Sequence, residues 1–222
     1  MEQANHMNGT LQSLFAAILE GEKEAAEDVV RAALEAGMDP SQLLEQAMIP
    51  AMSEVGRLFE AGEYFVPEML VSARAMQGGL SLLRPLLVKQ GVQPAGRAIL
   101  ATVHGDLHDI GKNLVALMLE GAGFEICDLG VDVSTEKIIL AVRERAPDIL
   151  ALSAMLTTTM TGMKTVIEAL QTAGLRDQTK VIVGGAPVTE LFAQRIGADG
   201  FAPDASRAVT LAKTLLANQE AS

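Results

Sequence analysis

The chain of 222 residues has one cysteine, one tyrosine, three histidines and no tryptophan. Each scarcity excludes something. A single cysteine, Cys127, allows no intrachain disulfide and no multi-cysteine zinc site, and its setting in Phe124-Glu-Ile-Cys-Asp-Leu marks it as a core thiol of a strand. Positive charge is also in short supply. Only 17 basic residues face 28 acidic ones, for a formal net charge of −11, so no basic patch offers a footprint for nucleic acid. No apolar run approaches the roughly 18 residues that cross a bilayer. The start is polar and acidic, without the basic n-region of a secretory leader. The expected setting is cytoplasmic, with neither membrane nor nucleic acid as partner.

What is present suffices for well-formed cores: 49% of residues are hydrophobic and 20% charged. From residue 10 to about 88 apolar residues recur at three- and four-residue spacing. The breaks fall at Gly21, Gly37-Met-Asp39-Pro40 and Ala61-Gly62-Glu63, which predicts helices near 9–20, 22–36, 40–60 and 66–89. Asp39 before Pro40 reads as an N-cap followed by a first-turn proline, and Pro67 fits a similar early-helix position. Four helices with short connections predict an antiparallel bundle over residues 1–90. Gly91-Val-Gln-Pro94-Ala-Gly96 then interrupts the pattern and sets the domain boundary.

Beyond it the period changes. Strand-like runs at 98–103, 124–128, 148–153, 180–184 and 199–201 alternate with helical patterns near 111–122, 134–145, 158–173, 188–196 and 204–217. Buried strands alternating with helices predict right-handed βαβ units, a parallel sheet and an α/β, flavodoxin-like (Rossmann-type) five-stranded domain over residues 91–222. Ligands of such sheets collect at the carboxyl ends of the strands.

One stretch at that rim carries chemistry: Thr102-Val-His-Gly-Asp106-Leu-His108-Asp-Ile-Gly111-Lys-Asn. A carboxylate two residues from a histidine can accept a hydrogen bond from one ring nitrogen, fix the tautomer and leave the other nitrogen free for a metal. Alone, the pair also suits a histidine that only braces its loop. His104 lies four residues before His108, but Gly105 and the preceding strand exclude the helix that a zinc pair at this spacing needs, and His6 near the terminus is the only other histidine. His104 therefore reads as a loop-rim residue. Two further rim loops contain Ser153-Ala-Met-Leu-Thr157-Thr-Thr159, suited to a ligand or to capping a helix, and Gly184-Gly185, which permits close backbone approach or a plain turn. Neither the phosphate-binding GxxxxGK[ST] loop nor a GxGxxG fingerprint follows the first strand, so nucleotide binding is disfavoured.

With Asp106-x-His108-x-x-Gly111, Ser153 and Gly184-Gly185 in this order, the chain resembles the cobalamin-binding module of B12-dependent methyltransferases over nearly its whole length. It is similar to the small corrinoid proteins of methanol, methylamine and methoxyaromatic systems and to the matching section of cobalamin-dependent methionine synthase. The resemblance implies a cobalamin whose dimethylbenzimidazole tail leaves cobalt and inserts into the α/β domain, with His108 taking its place as lower axial ligand. It implies that Asp106 and Thr159 complete a ligand-tuning relay behind His108, and that Ser153, Met155 and Thr157 contact the tail. Gly184 and Gly185 would line its channel, Phe201 and Ala205 would lie near its entrance, and Gly105, Leu107, Asp109 and Gly111 would frame the ligand loop. Met155 stands where the family pattern has leucine.

The helical half carries the resemblance too. Val55-Gly-Arg-Leu-Phe59-Glu-Ala-Gly-Glu-Tyr-Phe65-Val66-Pro67-Glu-Met69 is similar to a bundle that caps the upper corrin face. Phe59, Val66 and Met69 would shield the methyl–cobalt bond and Glu45 would approach the corrin edge, leaving Phe65 and Leu70 as bundle core. The implied protein is a methyl carrier, not a catalyst on its own. A substrate-specific methyltransferase would load the methyl group onto Co(I), and a second would pass it from methyl-Co(III) to tetrahydrofolate or a thiol. A reductive activation protein is a further implied partner. A cobalamin-dependent sensor and the small subunit of a B12-dependent mutase share the motif. The first usually adds a DNA-binding region and a cap tryptophan, and the second lacks the helical cap.

Overall fold

The computed structural model describes residues 2–220, with side chains from 8 to 218, so the side chain of His6 lies outside the described residues. The chain divides between Gln93 and Pro94 into two compact units, with Glu120–Gly123 grouped with the first. The break falls within the Gly91–Gly96 segment.

The first unit contains helices α1 (Glu2–Leu19), α2 (Lys23–Glu35), α3 (Pro40–Leu43), α4 (Ile49–Glu60) and α5 (Val66–Gln90). Helix α2 packs along α5, and α1 lies against α2 and α4. Leu14, Ile18, Val30, Leu43, Met48, Met76 and Leu83 are fully buried. Asp39 caps α3 as expected, its carboxylate accepting the Ser41 N–H at 3.1 Å with Pro40 in the first turn. The single helix expected over 40–60 is in fact α3 and α4 joined by a π-helical turn, Leu44–Met48. Pro50 supplies the reason. It has no N–H to donate to Gln46, and its ring crowds that carbonyl, so widening the preceding turn by one residue relieves the clash. The end of α1 is sealed by Tyr64 and Ser72, whose hydroxyls donate to the Leu19 carbonyl at 3.2 and 2.9 Å.

The second unit is a parallel sheet of β1 (Gly96–Thr102), β2 (Phe124–Asp128), β3 (Ile149–Ser153), β4 (Lys180–Gly184) and β5 (Gly200–Ala202) in the order β2-β1-β3-β4-β5. Helices α6 (Ile110–Gly121), α7 (Thr135–Arg145), α8 (Thr161–Thr172), α9 (Glu190–Ile196) and α10 (Ala205–Glu220) alternate with the strands. Ile99, Ala101, Leu150, Leu152, Val181 and Val183 pack against Ile138, Val166, Ile167 and Leu170 in one buried cluster. Cys127 is half-buried at its edge, less enclosed than its strand setting suggests. Strand β1 starts earlier than the apolar run because Gly96 and Arg97 pair with Phe124 and Glu125. Helix α8 starts later than its apolar pattern, since the Thr159 and Met160 amides both turn back onto the Leu156 carbonyl.

This strand order reverses direction between β1 and β3, which creates a crevice at their carboxyl ends. Register sets Thr102 beside Ser153, Ser153 beside Gly184 and Gly184 beside Ala202. The expected rim loops therefore leave the sheet from one level.

Gly185 sits at φ +117°, and a Cβ there would lie 1.9 Å from the Ala154 carbonyl oxygen. Gly185→Ala should lower unfolding free energy by roughly 3 kcal/mol or more, whereas Gly174→Ala, at φ +69° with open space around it, should cost about 1 kcal/mol. Urea unfolding midpoints of the two variants check the contrast.

Candidate functional site

The turn after β1 is built around Asp106, whose side chain is fully buried. Its Oδ1 lies 2.7 Å from His108 Nδ1 and accepts the His108 N–H at 3.1 Å. Its Oδ2 accepts the Met155 N–H at 2.7 Å and the Thr159 hydroxyl at 2.6 Å. Burial opposes the charged carboxylate. Donation from Thr159, then from the Met155 and His108 amides and the His108 ring, overrides that cost and holds the Asp106 carboxyl well below the usual carboxylate range. The carboxylate thus fixes the imidazole tautomer with Nδ1 as donor, leaving Nε2 for other use. The His108 side chain is 54% exposed, so the ring stands at the surface on a buried anchor.

Thr102, a fully buried hydroxyl at the end of β1, donates to the His108 carbonyl at 3.0 Å. Sequence reasoning missed it, although a threonine closing an apolar strand is a readable signal. It also passed over Asp132, which accepts from Gly105 N–H at 2.7 Å, and the buried Lys112 paired with Asp128. Asp109 lies beside α6 and accepts from Asn113 Nδ2 at 3.0 Å, while Gly111 is the second residue of that helix.

Ser153 is half-buried beside Gly184, Thr157 is exposed, and Gly185 meets the Ala154 backbone. Met155 stands out 48% exposed while its amide serves Asp106, so backbone and side chain have separate tasks. Leu107 at 72%, Ile110 at 78% and Leu156 at 44% are also exposed, so apolar side chains stand out both beside His108 after β1 and in the turn after β3. Phe201 is half-buried against the sheet core, and Ala205 is buried at the start of α10.

In the bundle, Glu45 lies exposed in the π-helical turn, Phe59 is half-buried and Val66 is partly exposed. Met69 is fully buried, so its side chain presents no open surface. Phe65 corrects an expectation. Read as core, it is 63% exposed, because the Glu68 carboxylate accepts its N–H at 3.0 Å and holds it extended as the N-cap directly before α5. A phenylalanine directly before a Val-Pro helix start is the signal that could have shown it outside the helical stripe. Leu70 is half-buried. Among the described residues no group of three or more His, Cys, Asp or Glu side chains could hold a metal ion, and no helix is long and apolar enough to cross a membrane.

Comparison with known proteins gives this arrangement a family. Residues 96–210 match a B12 binding domain, and residues 10–84 match a second B12 binding domain. The chain is 42% identical over 208 residues to dimethylamine corrinoid protein 1 of Methanosarcina acetivorans, covering 93% of this chain and 97% of that one. The structure of a cobalamin-binding protein from Desulfitobacterium hafniense aligns with TM-score 0.77 at 35% identity, over 92% of this chain and 98% of the other. The methanol:cobalamin methyltransferase complex MtaBC of Methanosarcina barkeri aligns with TM-score 0.84 at 31% identity, over 94% of this chain and 80% of the other. By its two matched domains and its identity to corrinoid proteins along almost its full length, the chain belongs to the B12-binding corrinoid proteins of methyltransferase systems.

Proposed function

We propose that this protein carries a methyl group on a bound cobalamin between two methyltransferases, with His108 as the lower cobalt ligand. The observation that carries the ligand assignment is the complete hydrogen bonding of Asp106, which commits Nδ1 of His108 and directs its remaining nitrogen outward. The residues fit the cofactor. One imidazole, in no group of three or more His, Cys, Asp or Glu that could hold a metal ion among the described residues, suits a metal whose equatorial positions a macrocycle fills. The exposed Leu107, Ile110, Met155 and Leu156 suit the apolar face of such a ring. Gly184 and Gly185 are assigned to the tail beside Ser153, and Gly185 packs so closely on the Ala154 backbone that no side chain fits there.

Bound cobalamin supplies the chemistry, taking up a methyl group as a cation and giving it up to a nucleophile. The protein's part is to hold and tune. His108 donates its lone pair from a ring oriented by Asp106, and Thr159 sets how much negative charge Asp106 offers in return. A proton placed on this relay lessens the imidazole's donation, so the relay links ligand strength to proton uptake. Ser153 and Thr157 offer hydroxyls to the tail, Phe201 and Ala205 lie toward the tail entrance, and Gly105, Asp109 and Gly111 shape the loop. In the bundle, Phe59, Val66 and Glu45 are assigned to the upper face of the corrin, and exposed Phe65 joins them. Met69, fully buried, is assigned to the same role only as packing within the bundle.

The donor-side partner is a substrate-specific methyltransferase for a small methylated compound, a reading supported by relatives named for dimethylamine and methanol. A carrier also needs an acceptor methyltransferase, acting on tetrahydrofolate or a thiol, and a reductive activation protein to restore cobalt lost to oxidation.

His108→Ala, loaded with cobalamin, should lose the imidazole-coordinated visible spectrum that the wild type shows. Identical spectra would overturn the assignment. The stability that Asp106 contributes has a defined pH window. Its carboxyl is depressed in the folded state, so the contribution is full above the unfolded value near 3.8 and fades as pH falls below it. Urea unfolding of the cofactor-free protein should therefore show wild type well above Asp106→Asn at pH 7, with the gap narrowing as pH drops from about 4 toward 2.

A further inference from the structure

The turn that presents His108 is gripped at both ends by a second loop, Asp128–Asp132, which leaves β2 and has no part in the reading above. At the near end, Asp132 Oδ1 accepts the Gly105 N–H at 2.7 Å and lies 2.7 Å from His104 Nδ1. The Asp132 N–H donates to the Asp106 carbonyl at 2.9 Å. Three successive residues, 104 to 106, are thereby tied to one aspartate. At the far end, Asp128 Oδ2 accepts from the buried Lys112 ammonium, which also donates to Asn113 Oδ1 at 2.7 Å. Asn113 Nδ2 passes the connection to Asp109, the residue after His108, at 3.0 Å. The bracing loop is itself stiff. Asp128 Oδ1 accepts the Gly130 N–H at 2.9 Å, and the loop bonds β1 through Leu129 N–H to the Leu100 carbonyl and Thr102 N–H to the Gly130 carbonyl.

Two features argue that this bracing serves more than folding. Asp132 holds a left-handed backbone, φ +50°, one of two non-glycine residues at positive φ among those described. Such strain persists where surroundings enforce it, and here it aims the carboxylate at Gly105 and the amide at Asp106. Lys112 places a buried positive charge in the first turn of α6, the end that disfavours cations. Asp128 compensates it, at a cost that an apolar residue would avoid.

We infer that Asp132 and Asp128 are positioning residues that set the placement of the His108 imidazole from the backbone side, and so the strength with which it holds cobalt. This rests on His108 being the lower ligand. Asp106 fixes the ring's tautomer and tilt, whereas Asp132 and Asp128 fix the main chain from which ring and carboxylate both hang. His104 gains a role as the outer partner of Asp132.

The test uses the full chain loaded with cobalamin and reads, from visible spectra, the pH at which the imidazole leaves cobalt. Asp132→Ala and Asp132→Gly should both raise that midpoint by about half a pH unit or more, equal to about threefold weaker coordination. Glycine accepts positive φ freely, so agreement between the two assigns the effect to the lost carboxylate. Asp132→Asn, which keeps an acceptor oxygen for Gly105 and tolerates the left-handed backbone, should recover part of the shift. Asp128→Asn should move the midpoint the same way, and supplies the reading if the Asp132 variants fold poorly. Midpoints at the wild-type value, with only urea stability lowered, would overturn the inference and leave the ligand assignment intact. A wild-type spectrum indistinguishable from His108→Ala would overturn the ligand reading itself.

Discussion

A fully buried carboxylate with every oxygen committed is the constraint on which the site depends. Asp106 collects donors from the turn after β1 and from the turn after β3, the two strands that flank the reversal of strand order. An unpaired carboxylate at that depth would be strongly disfavoured, so its hydrogen bonds hold both turns in place. Removing one donor does more than delete a contact. It returns part of the desolvation cost and frees the turn that supplied it. The sheet contributes by register, since Thr102 and Ser153 lie side by side and their following turns start from a common level.

The same anchor explains why the histidine can be exposed without being loose. His108 is attached at ring, amide and carbonyl, the last through Thr102. An exposed imidazole on a flexible turn would lose rotamer freedom on binding a metal. Here that ordering is already done by folding, which is the sense in which the site is preorganised.

The sequence made the fold and the centre of the site legible for physical reasons that differ. Strands such as 149–153 and 180–184 were readable because short apolar runs such as Ile-Leu-Ala-Leu and Val-Ile-Val have few other uses. Helix ends were readable where a side chain caps, as at Asp39. Asp106 and His108 were readable because a dipeptide spacing of two is a local property, and the relay to Thr159 was reached only through the family resemblance. Asp132 was not legible. Its bonds to Gly105 and Asp106 reach back 27 and 26 positions to a turn on the neighbouring strand, and a lone aspartate after Leu-Gly-Val carries no period. Phe65 and the π-helical turn failed for a related reason. Helical spacing assigns faces on the assumption of an unbroken helix, and neither the start of α5 nor the turn before Pro50 meets it.

Left-handed residues divide by function between the two ends of the sheet. At one end of the sheet Gly123, Ala146, Gly174 and Gly197 each follow a helix, α6 to α9, where positive φ ends the helix and satisfies its last carbonyls. At the other end Gly105, Gly130, Asp132 and Gly185 follow β1, β2 and β4, with no helix to terminate. Their backbone conformation shapes the turns around His108 and the close approach of Gly185 to Ala154. One end therefore uses positive φ to finish elements, and the opposite end uses it to aim groups. Three of these four rim residues, Gly105, Gly130 and Asp132, lie in the turn that carries His108 and the loop hydrogen-bonded to it, so the sharpest backbone demands concentrate around one imidazole.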